Sequence, residues 1–189
     1  MRNHLIKLLL PAGAVALTAT ASFALAPSEE APARSDRVAT VSTKQAMTFA
    51  VLRRDQRSGD AIDTDAAGPF GANPKLARKV TTAAGPAWVV PADGAVCLRV
   101  ADADGFGWTC APDDEVAASG LLLSLRDGDM NGTAVYGLLP DGAHDAVVRG
   151  SSGSRAVALA EGTVGAKSPD AVSLVYVDAA GSRRSVRVP

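Results

Sequence analysis

Asp127, Asp129 and Asn131 alternate along RDGDMNG (126–132) and are followed by Gly132, the spacing with which many calcium loops begin. Such a loop needs a carboxylate at its twelfth position to supply two oxygens at once. Counted from Asp127 that position is Leu138, and the ninth is Val135. Calcium takes about 6 to 8 oxygen ligands, and this stretch offers three side chains plus carbonyls. Asp127, Asp129 and Asn131 are therefore weak calcium candidates, and no metal is expected. Asn131-Gly132 is a strong hairpin signal, and apolar runs flank it on both sides. Asn131-Gly-Thr133 also matches a glycosylation acceptor, which a bacterial-type export signal leaves idle. Asp102 and Asp104 would join a composite ion site only if the fold carried them to Asp127 and Asp129. Solvated turn aspartates are the commoner case.

Catalytic chemistry finds little material. His144 stands beside Asp145, but neighbours in a strand point to opposite faces, so the two make no triad pair. GSSGS (150–154) lacks the final glycine of a nucleophile elbow and falls at a hairpin turn. No phosphate loop, dinucleotide fingerprint or metal-ligand cluster is present. No catalytic residue is assigned and no cofactor is expected.

Cys97 and Cys110 are the only cysteines. In an exported chain such a pair reads as a disulfide; two thiols with no partner histidine make a poor metal site, and the redox C-x-x-C spacing is absent. Closing a loop of about 14 residues stabilises by roughly 3 kcal/mol on the chain-entropy account. The bridge is expected to pin the loop from Asp102 to Trp108, where Gly105 and Gly107 permit sharp turns around Phe106 and Trp108. Two roles stay open for these rings: exposed contact anchors clamped by the disulfide, or caps over the core beneath the loop.

The elements that must position these residues follow from periodicity. Ser42 with Gln45 forms a capping-box pattern, and Met47, Ala50 and Val51 then share one helical face, predicting a helix over about 43–54. Asn73-Pro74 predicts a second short helix running through KLARKV, with Arg78 and Lys79 near its end. From Gly85 onward short apolar runs alternate with turn signals at Asn131-Gly132, Pro140-Asp141-Gly142, Ser152-Gly153 and Ala180-Gly181. Val96, Leu98 and Val100 fall on one side of AVCLRV, with Cys97 and Arg99 on the other. The expected fold is mainly β, an antiparallel sandwich or small barrel of about seven to eight strands preceded by one or two short helices. VRGSSGSRAVAL (148–159) faintly repeats as VDAAGSRRSVRV (177–188), which suggests two related hairpins of one sheet system.

The N-terminus, MRNHLIKLLLPAGAVALTATASFALA, has the cationic start, apolar centre and small-residue end of a secretory signal, with cleavage after Ala24 or Ala21. The alternative is an uncleaved single-pass anchor from Leu8 to Ala26. Residues 25–41 read as a flexible spacer, 42–84 as an N-terminal segment with short helices, and 85–189 as the β-domain. Residues 1–24 hold Arg2 and Lys7 and no carboxylate, so their removal takes the net charge from −1 to −3. With basic runs no longer than Arg53-Arg54 and Arg183-Arg184, no nucleic-acid footprint is expected. Arginine outnumbers lysine 14 to 5, a usage that points to a GC-rich genome.

Phe49-Ala-Val-Leu-Arg-Arg54, Asn73-Pro74 with Leu76-Ala-Arg78, Trp88-Val-Val-Pro91, Val96-Cys97-Leu98, Cys110-Ala111 and Gly137-Leu-Leu-Pro140-Asp-Gly142 occur in that order. The series resembles a group of uncharacterised exported proteins of GC-rich Gram-positive, actinobacterial-type bacteria. The resemblance implies secretion and a β fold and brings no activity. Two classes of function stand side by side. One is a secreted or surface-associated binding module for a protein or cell-envelope component, with Phe106 and Trp108 as the surface. The other is a hydrolase or other enzyme whose site is assembled from distant residues. A membrane-tethered accessory domain differs from the first only in keeping its signal, and membrane contact is expected only then.

Overall fold

Val96, Leu98 and Val100 are fully buried, and the alternation that places them on one side of their strand organises the first of three sheets. A computed structural model describes residues 40–64, 68–102, 105–126 and 133–189. The expected signal and nearly all of the expected spacer lie outside the described residues. Strands β1 (Arg78–Thr82), β2 (Gly85–Pro91), β3 (Ala95–Asp102) and β4 (Gly105–Pro112) form an antiparallel meander in sequence order. Helix α3 (Asp113–Ser119), with three carboxylates in its first turn, leads to β5 (Leu121–Arg126) and β6 (Thr133–Leu138). These pair with β10 (Thr163–Ser168) and β9 (Leu159–Ala160) in the order β5-β6-β10-β9. The third sheet runs β12-β11-β7-β8, from β7 (His144–Gly150), β8 (Gly153–Ala156), β11 (Ala171–Val177) and β12 (Arg183–Arg187).

The architecture is a mainly β, sandwich-like stack of open antiparallel sheets, with twelve strands among the described residues and no closed barrel. The excess over seven or eight strands comes from β1, β4 and β10, and from the division of residues 155–160 between β8 and β9. Both repeat copies lie in the third sheet, where β7–β8 and β12–β11 flank the central β11–β7 pairing. No helix among the described residues is long and apolar enough to cross a membrane.

The middle sheet divides its faces between two cores. Leu121, Tyr136 and Leu138 pack with Val96, Leu98 and Val100, while Leu122 and Val164 pack with Leu174 and Tyr176 of the third sheet. A strand buried on both faces shows a continuous apolar run in place of alternation, which explains Leu121-Leu122-Leu123. Gly137 is required on the side of the second core: a Cβ there would stand 2.6 Å from Leu122 Cδ2 and 2.9 Å from Val164 Cγ2.

Several local expectations are corrected. The helix of 43–54 is two pieces, α1 (Thr43–Thr48) and α2 (Ala50–Arg53), separated by an extended Phe49 whose ring is fully buried. The capping box is present, with Ser42 N–H donating to Gln45 Oε1 and Gln45 N–H to Ser42 Oγ. The break at Phe49 turns Met47 outward, 72% exposed, while Val51 is buried. Asp141 accepts from Ala50 N–H, so a turn distant in sequence caps α2. The helix expected from Asn73-Pro74 is only a 3-10 turn, Pro74–Leu76, after which Arg78 and Lys79 belong to β1. β5 and β6 do form a hairpin, from Leu121↔Leu138 to Arg126↔Thr133. Asp127, Asp129, Asn131 and the glycosylation pattern's asparagine lie outside the described residues.

Candidate functional site: the outer face of the first sheet

With Val96, Leu98 and Val100 turned inward, the odd-numbered residues of β3 must face out. The register then aligns one residue from each strand: Lys79 opposite Trp88, Trp88 opposite Arg99, Arg99 opposite Trp108. Cation and aromatic alternate across the sheet. The Arg99 guanidinium lies 5.5 Å from the Trp88 ring centre, 5.8 Å from Trp108 and 5.0 Å from Phe106. Lys79 Nζ sits 5.2 Å from the Trp88 ring centre. These distances fall within cation–π range.

Cys97 and Cys110 are bridged and directly opposite one another, on the same outward face. The bridge therefore staples two strands, with Cα atoms 4.1 Å apart, and the expected loop from Asp102 to Trp108 is mostly hairpin strand. Gly107 is needed for packing, as a Cβ there would meet Leu125 Cδ2 at 2.9 Å on the inner side. Asp104, and the side chain of Asp102, lie outside the description, so a composite ion site with Asp127 and Asp129 does too. Among the described residues no three His, Cys, Asp or Glu side chains are grouped to hold a metal.

The disulfide end of the face is covered. Ile62, Ala72 and Ala77 pack with Val90 and Cys97, and Trp88, Trp108 and Cys110 close against them. Gly68 abuts the Trp108 ring so closely that a Cβ would lie 3.0 Å from Cη2. The two roles left open for the rings are thus divided. Trp108 is half-buried and wedged by its edge under the 68–77 segment, whereas Phe106 is 66% exposed. Neither ring belongs to the inner core.

Arg99 is half-buried, and burial pushes its guanidinium below its ordinary pKa. Among the described residues it has no hydrogen-bond or ion-pair acceptor; its neighbours are ring faces. Trp88 Nε1 is likewise buried without a partner among the described residues. The five guanidinium donors of Arg99 thus have no protein acceptor among the described residues.

Lys79 is placed from behind by a network that sequence reasoning missed. Asp60, 2% exposed, accepts from Lys79 N–H at 2.9 Å and from Arg57 N–H at 2.6 Å, and is forked by Arg54 at 2.6 and 3.0 Å. Burial alone would raise the Asp60 pKa; Arg54 and the two backbone donors outweigh it and hold the group at about 2. Arg54 also reaches Glu161 at 2.7 Å. Arg53-Arg54 looked like a short basic run, and nothing in its spacing names a carboxylate 107 positions away. A second tether is Gln45, whose amide donates to Ala92 O, Ala95 O and Asp113 Oδ1.

The catalytic candidates stay apart from this face. His144 Nε2 is 3.9 Å from Asp145 Oδ2, beyond hydrogen-bond range; Asp145 sits in the left-handed region (φ 51°) at a bulge, so the strand alternation expected to separate the pair does not hold at this position. In the β7–β8 turn, Ser151 Oγ and Ser152 N–H both donate to Asp170, beside a shallow groove of about 240 Å³. The Ser151 and Ser152 donors hold Asp170 at about 2, so it accepts hydrogen bonds and makes a poor general base near neutrality.

No protein-family model matches the chain, and neither a curated protein nor a solved structure does.

Proposed function

We propose that the chain is a secreted or surface-associated binding module, of the exported actinobacterial-type group it resembles, for a protein or cell-envelope component. Its contact surface is the outer face of the first sheet. The observation that carries this reading is Arg99, half-buried among three aromatic rings with no acceptor among the described residues. Leaving a partly desolvated cation unpaired costs stability, and a partner that supplies an acceptor recovers that cost on binding. Aromatic residues and arginine are also the side chains most enriched at binding hot spots. Phe106 is the exposed anchor, Trp108 and Trp88 flank the cation, and the disulfide holds two of the four strands in register, which lowers the ordering cost of binding. The bridge suits an oxidising compartment, in keeping with the export signal at residues 1–24.

The test is retention on cell envelopes from the producing organism, for the wild-type chain and for Phe106→Ala/Trp108→Ala, each checked for folding by its thermal melt. Loss of retention by a folded double variant is expected. Equal retention by a folded double variant removes this face from the proposal. Should that variant not fold, Phe106→Ala/Arg99→Gln addresses the same face without disturbing the ring wedged at Gly68.

A further inference from the structure

Resting on the reading of this face as the contact surface, we infer that its ligand is an acidic carbohydrate chain, with sugar rings lying on the aromatic plates and an acidic group received by Arg99. The shape of the face favours a chain over a protein. Four strands at a spacing of ~4.8 Å make the row Lys79–Trp88–Arg99–Trp108 roughly 14 Å across. The next outward row, with Val90, Cys97 and Cys110, already packs against Ile62, Ala72 and Ala77. What stays open is a strip on the order of a few hundred Å² at most, well short of the ~800 Å² per partner that a stable protein interface buries. A narrow strip suits a linear polymer crossing the strands.

The order of side chains sets the chemistry. Flat rings alternate with cations one strand apart, so a ligand following the row meets a plate, a positive charge and a plate, and then, past Trp88, the second charge of Lys79. A chain of ring-shaped units bearing acidic substituents has that alternation. The three rings lie 5.0 to 5.8 Å from the Arg99 guanidinium and offer it no carboxylate, so its N–H fork, without an acceptor among the described residues, can take one from the ligand. The half-buried setting strengthens that bond relative to one in open water. A neutral glycan offers Arg99 no charged acceptor, and a flexible acidic peptide has no rigid rings for the plates.

Trp88 and Trp108 are the only tryptophans in the chain, so fluorescence excited selectively through tryptophan reports from this face alone. Short oligogalacturonate, with a carboxylate on each ring, is titrated into the full chain. Neutral maltodextrin and poly-glutamate of matched charge are titrated in parallel. A saturable change with oligogalacturonate only is expected, with Arg99→Gln raising the half-saturating concentration by about tenfold or more. The triple variant Arg149→Gln/Arg183→Gln/Arg187→Gln, which strips the outward face of the third sheet, should stay within about twofold of wild type.

No response to oligogalacturonate, an equal response to poly-glutamate, or an unchanged titration in Arg99→Gln each overturns the inference. So does a loss confined to the triple variant, which would place the attraction on the third sheet. Envelope retention separates the two levels. If Phe106→Ala/Trp108→Ala loses retention while oligogalacturonate gives no response, the ligand class is wrong and the contact face stands. If retention is unaffected, the face itself is wrong.

Discussion

Arg99 and Arg149 are both outward-facing arginines on interior strands of antiparallel sheets, and their surroundings differ in almost every respect. Arg149 on β7 is exposed, lies opposite Ser173 and Ser154, and shares its face with Arg183 and Arg187 at the edge strand. No aromatic ring and no large exposed apolar side chain lies on those rows. Water satisfies such guanidiniums, and charged side chains on an edge strand discourage pairing with another sheet. Arg99 instead has Trp88 and Trp108 as cross-strand neighbours and Phe106 beside them, with the face staked down by a disulfide and a covering segment. The difference teaches that an arginine with no acceptor among the described residues is unusual only where burial has removed the water that would otherwise serve it.

The strongest way to break the comparison is to release the staple. Cys97→Ser/Cys110→Ser is expected to cost about 3 kcal/mol of unfolding free energy, measured as a shift in urea midpoint followed by tryptophan fluorescence. A loss well below about 1 kcal/mol would mean that the 62–77 segment holds the face without the bridge.

Asp60, which anchors β1 behind Lys79, should come next. Its folded pKa of about 2 lies below its ordinary 3.8. The ionised form is therefore favoured in the native state, and its contribution is present above pH about 4 and lost as pH falls toward about 2. Asp60→Asn is expected to destabilise by about 2 kcal/mol near neutrality, with wild type and variant converging on acidification in thermal melts. A pH-independent difference would show that lost packing, not charge, is responsible.

Asp113 sharpens the contrast in the opposite direction. It is buried against Gln45, and burial raises its pKa. A raised acid favours the protonated native state, so this contribution is present below the unfolded value and lost as pH rises through the folded one. Asp113→Asn keeps an acceptor for Gln45 and removes the buried charge. A gain of up to about 1 kcal/mol near neutrality is expected, fading at low pH. A loss near neutrality would show that the charge is needed at the start of α3.

The smallest effects compare the two faces directly. Phe106→Ala should cost about 0.5 kcal/mol, the scale of an exposed cation–π contact, while Arg149→Gln should stay within about 0.5 kcal/mol of zero in either direction. A stabilising Arg149→Gln beyond that range would show that the three arginines of the third sheet repel one another strongly enough to matter.

The sequence by itself determined what depends on neighbours in the chain. The alternation in AVCLRV sends Val96, Leu98 and Val100 inward and Cys97 and Arg99 outward, and an even cysteine pair in one short stretch closes as a disulfide. Ser42 and Gln45 cap their helix from three residues apart. Those contacts are set by backbone geometry over a few residues, and residue types report it.

The rest was decided by register and by distant partners. Phe106 and Trp108 could be singled out from their place beside the cysteine, with their role left open, and Trp88, Arg99 and Lys79 joined them only when the strands paired, because cross-strand neighbours can belong to any two runs of similar polarity. Phe49 left the helical pattern because burying its ring and capping Ala50 from Asp141 outweighed helix continuity across one residue. KLARKV left its helix because Lys79 N–H bonds to Asp60 and β1 pairs along β2. The register of β5 against β6 is held because Leu121, Leu123 and Leu125 must meet the first core while Leu122 meets the second, and a slip of one residue would reverse them all.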